Sequence, residues 1–438
     1  MENIEPVRQS ERILSVDVLR GFSLLGILLL NIVSFGLPFA AYMNPTVYGG
    51  ATGSDLNVWL IAMTLWDGKM RCIFSMLFGA GAYILLDRAS RRGAGIEAAD
   101  IYYRRTMWLI VFGLLHAHLI WSGDILYGYG VIGLLLFPLR RASAKALIIT
   151  ASVIILLHSA QNVGAGLGIG ELRQTALAAV GVSNPSEEQK KATQEWAQIA
   201  EIFEPKRADV EKQILAHRGG WLENLPIRSA EAAMFEFTMF FQFMFLDILG
   251  MLIMGMGLAK AGVFDASRSV KFYAVLAIAG FAVGVPLNYW AAKSWIANGY
   301  TAPGFFTYLG STADIGRFTV AMGYTGVVML LSKAGVAFIT GPLAAVGRMA
   351  LSNYLLTSIL CTLFFNGYGL GYFGKLQRHE LYYVVLGMWT INLVISPIWL
   401  RHFRFGPAEW LWRSLTYWEK QPMRRLEQQT AAIMETSS

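Results

Sequence analysis

Apolar blocks of roughly 15 to 30 residues recur along most of this chain, each long enough to cross the hydrocarbon core of a bilayer as a helix. Runs such as Phe22 to Ile32, Met107 to Leu115 and Ile148 to Leu157 lie inside these blocks and are apolar on every face. A transmembrane barrel would instead alternate apolar and polar positions in segments of about ten residues. The fold class expected is therefore all-α, a polytopic integral membrane bundle. Only 15% of the residues are charged, against about 25% in soluble domains.

Span starts are expected at Leu14, Asn57, Arg105, Ile125, Ala146, Ala233, Phe272, Ile315, Leu343 and Leu381, about ten helices. With the amino terminus inside, twenty Lys and Arg residues, from Arg8 and Arg12 through to Arg424 and Arg425, fall on the inner side. Lys293, Lys375 and Arg378 are the three on the short outer segments. Basic residues near span ends are retained in the cytoplasm, so both termini are expected there. This bias accounts for the net charge of +7 without nucleic acid as a partner. The polar start Met1 to Ser10, with Asp17 and Arg20 early in the first block and no small-residue cleavage site, argues against a removable signal peptide. Cys72 and Cys361 both sit in apolar blocks and read as packing residues, with no metal-binding spacing.

Four regions follow: a five-span half over 1–161, an external helical insertion over 162–232, a second five-span half over 233–400, and an amphipathic cytoplasmic tail over 401–438. In the insertion, Asn184-Pro185-Ser186-Glu187 resembles a helix start capped by Asn184. Its ten acidic and eight basic residues nearly balance, which suits either a connecting hairpin or a lid.

Ionisable residues inside spans cost several kcal/mol unless paired or hydrated, so each is a candidate for function or for structural pairing. Asp17 and Arg20, three apart, share a helix face. Asn31 lies about 21 Å further along that helix, a donor to substrate or a helix contact. Asp67 and Arg71, four apart, are expected to neutralise each other, leaving Lys69 for an anionic substrate or a structural carboxylate. His116 and His118 point to nearly opposite faces, which excludes joint metal chelation and leaves one as a general base. Asp124 is the nearest carboxylate to orient it, yet a straight helix would put the two about 12 Å apart, so a bend at Gly123 or a partner from another span is required. Glu236, Gln242 and Asp247 enter the sixth span, Asp247 facing either Arg317 or Arg348 or a proton path. After the last span, Glu409 and Arg413 share a face of a Trp-rich segment that suits interfacial anchoring or donor binding.

Five ordered stretches carry a resemblance: Arg12 to Gly21, Lys69 to Gly81 with Phe74-Ser75-Met76-Leu77-Phe78-Gly79, His116 to Leu126, Gly347 to Leu355, and Gly406 to Tyr417. Together they resemble the YeiB-like bacterial inner-membrane proteins, a family of unknown function. The opening Ser15-Val16-Asp17 to Arg20-Gly21 and the span with Asn31 are also similar to heparan-α-glucosaminide N-acetyltransferase and its transmembrane relatives. That resemblance implies an acyl group passed from cytoplasmic acyl-CoA, such as acetyl-CoA, to an extracytoplasmic sugar or envelope acceptor. Those relatives carry a histidine shortly after the matching Asn; here none occurs between Asn31 and His116, so the base falls to His116. The site expected is then His116, Asp124 and Asn31 for chemistry, with Lys69, Arg71, His118, Asp17, Arg20, Arg348 and Asn353 contacting substrates and no metal. Membrane lipids are the surroundings, and a homodimer is compatible with this reading. The alternative is a transporter or flippase for a small or lipid-linked anion, using Lys69, Arg71 and Asp247.

Overall fold

The structure, a computed structural model, describes residues 12–93 and 96–425. Arg8 and the two chain ends whose sidedness the sequence assigns lie outside the described residues. In chain order the helices are α1 (Leu14–Gly36), α2 (Phe39–Met43), α3 (Gly53–Ile61), α4 (Lys69–Arg91), α5 (Ile96–Leu119) and α6 (Leu126–Gly133). Next come α7 (Ala144–Ala178), α8 (Glu187–Phe203), α9 (Arg207–His217), α10 (Trp221–Ala233), α11 (Phe245–Lys260) and α12 (Val270–Ala297). The chain closes with α13 (Ala302–Gly304), α14 (Ser311–Lys333), α15 (Ala337–Arg348), α16 (Ala350–Phe365), α17 (Leu381–His402) and α18 (Pro407–Tyr417). Among the described residues there is no strand, only an isolated bridge between Phe403 and Arg424.

Among the described residues, seven helical stretches are long and apolar enough to cross a bilayer: Leu14–Gly36, Gly53–Arg91, Ala144–Ala178, Trp221–Lys260, Val270–Ala297, Ala302–Lys333 and Leu381–His402. The pair α15 and α16, bent by 83°, makes an eighth if it counts as one. The protein is thus a multi-pass membrane protein. Hydropathy suggests ten crossings, and the two remaining candidates are α5, whose first half carries Glu97, Asp100, Arg104 and Arg105, and the short α6.

The helices flanking the insertion run further than hydropathy suggests, α7 continuing to Ala178 and α10 beginning at Trp221, with α8 and α9 between them. The cap of α8 is Ser186 rather than Asn184: its hydroxyl accepts from Gln189 N at 3.2 Å and Gln189 Oε1 accepts from Ser186 N at 2.9 Å. Pro185 holds the preceding residue extended, which moves the start past Asn184. This region docks on the loops after α1 and α16, with Asn44 donating to Phe203 O and Arg218 to Phe373 O. We call that end of the bundle the insertion face, and the opposite end, where Arg12, Arg88 and α18 lie, the basic face.

Several helix pairs approach to backbone contact at glycines, among them α1–α15, α4–α11, α12–α14 and α5–α6. A side chain at Gly21 of α1 would collide with Leu343 O, and one at Gly347 of α15 with Asp17 O. Between α4 and α11, Gly79 and Gly255 stand in the same relation to Leu252 O and Met76 O. Small residues of this kind let helices pack closely in lipid, where apolar burial alone supplies little attraction.

Candidate functional site: an arginine-lined cavity and a buried histidine–aspartate pair

Helix α5 ends at Leu119 and α6 begins at Leu126, and the irregular turn between them solves the distance problem in the sequence. Trp121 N bonds to His116 O at 2.9 Å. Its indole lies where a side chain at Gly123 would go. Asp124 then folds back under the end of α5: Oδ1 accepts from Tyr127 N at 2.8 Å, and Oδ2 meets His116 Nδ1 at 2.7 Å. Both side chains are buried, 1% and 0% exposed. Nε2 is buried and has no hydrogen-bond partner among the described residues. Tyr354 packs its ring 4.9 Å from the imidazole and donates its hydroxyl to Asp124 Oδ2 at 3.4 Å.

A cavity of about 270 Å³ opens beside this pair on the basic-face side. Its charged lining is Arg12, Arg20, Arg88, Arg105, Arg348 and Arg413 against Asp17 and Glu409. Deeper in it is apolar, with Phe74, Leu77, Leu109, Leu126 and Leu351, and it reaches Tyr354. Asp17 pairs with Arg20 at 2.9 Å and with Arg12 at 3.4 Å. Arg348 keeps Nε and Nη2 buried without an acceptor among the described residues. Burial, and then the nearby Arg12, pull the Arg413 guanidinium down to about 10, still charged at neutral pH. Burial also lowers Arg12. Guanidiniums crowded in this way favour a polyanionic guest such as a phosphate group.

Helix α18 forms one wall. Glu409 Oε1 accepts from Leu351 N at 2.6 Å and Ser352 N at 3.1 Å, and Oε2 from Ser352 Oγ at 2.5 Å. It thereby caps α16 just after the bend. Trp412 donates its indole N–H to Arg105 O at 2.9 Å while the Arg105 guanidinium lies 3.7 Å over its ring.

The remaining expected site residues divide. Asp17, Arg20 and Arg348 line the large cavity, and Asn31 lines a second, small pocket with Trp121 and Tyr354. Lys69, Arg71, His118 and Asn353 line neither. The expected Asp67–Arg71 pair does not form, because the helix breaks at Gly68 (φ 68°) and the four-residue spacing no longer sets a shared face. Arg71 pairs instead with Asp247, which also accepts from Arg317 at 3.2 Å. Lys69 donates to Met63 O at 2.5 Å, a carbonyl freed by the π-helical turn over Ala62–Trp66. His118 faces Glu236 at 3.2 Å. Asn353 donates to Val346 O and Ser396 Oγ across the bend. Sequence reasoning missed the Tyr354 contact, although Tyr354 lies in the Gly347 to Leu355 stretch, and missed a second buried pair, His158 with Asp314 at 2.7 Å.

Taken together these features define a class: a multi-pass helical membrane protein whose arginine-rich cavity reaches Tyr354, which packs on a buried histidine–aspartate pair. The chain belongs to the YeiB family. It is 34% identical over 414 residues to the uncharacterized protein YeiB of Escherichia coli strain K12, covering 93% of this chain and 96% of that protein. It is 30% identical over 437 residues to the uncharacterized protein YxaH of Bacillus subtilis strain 168, covering 97% and 99%. An uncharacterized 39.9 kDa protein of Bacillus acidopullulyticus is 25% identical over 421 residues, covering 96% and 98%. The family model described as "Protein of unknown function (DUF418)" matches residues 258–419, the stretch that carries Arg348, Tyr354, Glu409 and Arg413 but not His116.

Proposed function

We propose that this protein is a membrane acyltransferase that takes an acyl group from cytoplasmic acyl-CoA and delivers it to an acceptor, a sugar or another envelope component, on the far side of the bacterial inner membrane. In this reading α5 and the α6 segment complete ten crossings, the basic face and both termini are cytoplasmic, and the insertion is external. One observation carries it: a cavity lined by six arginines reaches Tyr354, whose ring packs on a histidine paired through Nδ1 with a buried carboxylate, the arrangement that suits Nε2 to act as base. The arginines bind the phosphates of the donor and the apolar depth takes the acyl end. His116 Nε2 removes the acceptor proton as oxygen or nitrogen attacks the thioester carbon; the C–S bond breaks, and the imidazolium protonates the departing thiolate. A positioned base of this kind contributes about 10²- to 10⁴-fold.

The test is purified protein with acetyl-CoA and longer acyl-CoAs, followed by thermal shift and by release of free thiol. Ligand binding to the folded state raises the melting temperature, and slow thiol release is expected to vanish in a folded His116→Ala variant that still shows the shift. Absence of both shift and thiol release overturns the reading. The 83° bend between α15 and α16 favours a second reading, anion transport, because broken helices frame substrate sites in transporters; flux of phosphate esters into proteoliposomes would reveal it.

A further inference from the structure

The small pocket between α1, α16 and α17 has a different chemistry from the arginine cavity, although a single wall divides them. Its volume is about 20 Å³, room for one water-sized group. No Asp, Glu, His, Lys or Arg lines it. Its polar members are Asn31, Thr357, Ser358 and Asn392, set among Phe35, Trp121 and Trp389. Asn392 is 4% exposed and donates through Nδ2 to Thr357 Oγ1 at 3.0 Å. Its Oδ1 is buried with no partner among the described residues. Thr357 Oγ1 accepts that bond and keeps its own proton to give. One unsatisfied acceptor beside one unused donor is the complement of a single hydroxyl, which gives one hydrogen bond and accepts another. A buried carbonyl oxygen left unpaired costs free energy, so a hydroxyl guest relieves it, whereas an ammonium or phosphate would meet no counter-charge.

Tyr354 is the one residue that lines both spaces. His116 lies just behind it, with Trp121 edge-on at 6.3 Å on the small-pocket side. We propose that the small pocket is the acceptor subsite, that it takes an uncharged hydroxyl group held by Asn392 and Thr357, and that Tyr354 is the partition whose side chain turns aside for transfer. This rests on the acyltransferase reading. The step balances as an ester synthesis: once Tyr354 has turned aside, the hydroxyl keeps the Thr357 hydrogen bond and swings its one proton from Asn392 Oδ1 to His116 Nε2, its oxygen bonds to the acyl carbon, the C–S bond breaks, and the imidazolium returns the proton to the thiolate.

The experiment supplies the full-length protein with acetyl-CoA and, in parallel, glycerol, glycerol 3-phosphate or ethanolamine, and measures released thiol, free acetate and acetylated acceptor. Glycerol is expected to divert acetyl from water to ester, with glycerol 3-phosphate and ethanolamine at least tenfold poorer. Asn392→Ala and Thr357→Val are each expected to lower the ester-to-acetate ratio for glycerol at least fivefold. Thiol release with only acetate formed, or equal acetylation of all three acceptors, overturns the subsite while leaving acyl transfer standing. Absence of thiol release overturns the acyltransferase reading and the subsite with it. The wild-type acceptor series decides the matter even if a substitution prevents folding.

Discussion

Two buried histidine–aspartate pairs share this bundle, and they differ at the second ring nitrogen. In each the carboxylate meets Nδ1 at 2.7 Å. His158 on α7 also bonds through Nε2 to Phe243 O at 2.8 Å, and Asp314 on α14 accepts from Ser159 Oγ at 2.9 Å. His158 is therefore engaged at both nitrogens, with Asn162 Nδ2 also 3.4 Å from Nε2. It ties α7 and α14 to the π-helical stretch over Met234–Met244, helix glue of the kind polar side chains supply in lipid. His116 has the same carboxylate at Nδ1 and no hydrogen-bond partner at Nε2 among the described residues. In the proposed transfer this difference is what suits His116, and not His158, to act as base.

The sharpest way to break this contrast is to remove each histidine's function separately. His116→Ala should lower thiol release from acyl-CoA by about 10²- to 10⁴-fold and, by stranding the buried Asp124, also cost stability, so Asp124→Asn, which keeps the volume and frees the wrong tautomer, is the cleaner loss of turnover. At the other pair a loss of stability without a loss of turnover per folded molecule is expected: Asp314→Ala strands a buried partner and should cost about 3–5 kcal/mol of stability, read as an earlier midpoint in a mild SDS titration. If Asp314→Ala instead abolished turnover in a fully stable protein, the division of labour would be reversed. A smaller effect belongs to the cavity that serves His116 alone. Arg348→Ala should weaken acyl-CoA binding by about 10- to 100-fold, the equivalent of one charge-assisted hydrogen bond, measured by titration calorimetry.

The smallest effect concerns the wall. Burial raises the Glu409 carboxyl above its ordinary value, opposed by the hydrogen bonds from Ser352 and Leu351. A raised acid stabilises the docked state most at low pH, and that contribution is lost as pH rises through the raised value. Docking of α18 should therefore loosen with rising pH, followed by trypsin cleavage at its basic residues. Glu409→Gln should flatten this slope and shift stability by about 1 kcal/mol, the scale of a helix cap.

How much of this was legible beforehand follows from distance along the chain. The all-helical membrane class shows in the repeated apolar blocks, because lipid forces each span to satisfy its own backbone. His116 and Asp124 are eight residues apart, near enough for their separation on a straight helix to demand a bend, and Gly123 marks where it occurs. The Asp67–Arg71 expectation failed because periodicity says nothing of a π turn that ends one helix and restarts another between them. His158 and Asp314 are separated by 156 residues, and no local pattern joins them. The arginine cavity draws on α1, α4, α5, α15 and α18, each contributing one cation that reads alone as a topology signal.

The glycine contacts have a mechanical consequence. Because α1 is seated on α15 and α4 on α11 at backbone distance, neither pair can slide without steric collision, and together they act as the fixed frame of the machine. The α5–α6 hairpin is closed in the same way, since a side chain at Gly113 would collide with Tyr127 N. The turn that assembles His116 with Asp124 is therefore clamped as tightly as the frame, and room for a guest beside them has to come from side chains rather than from these backbones.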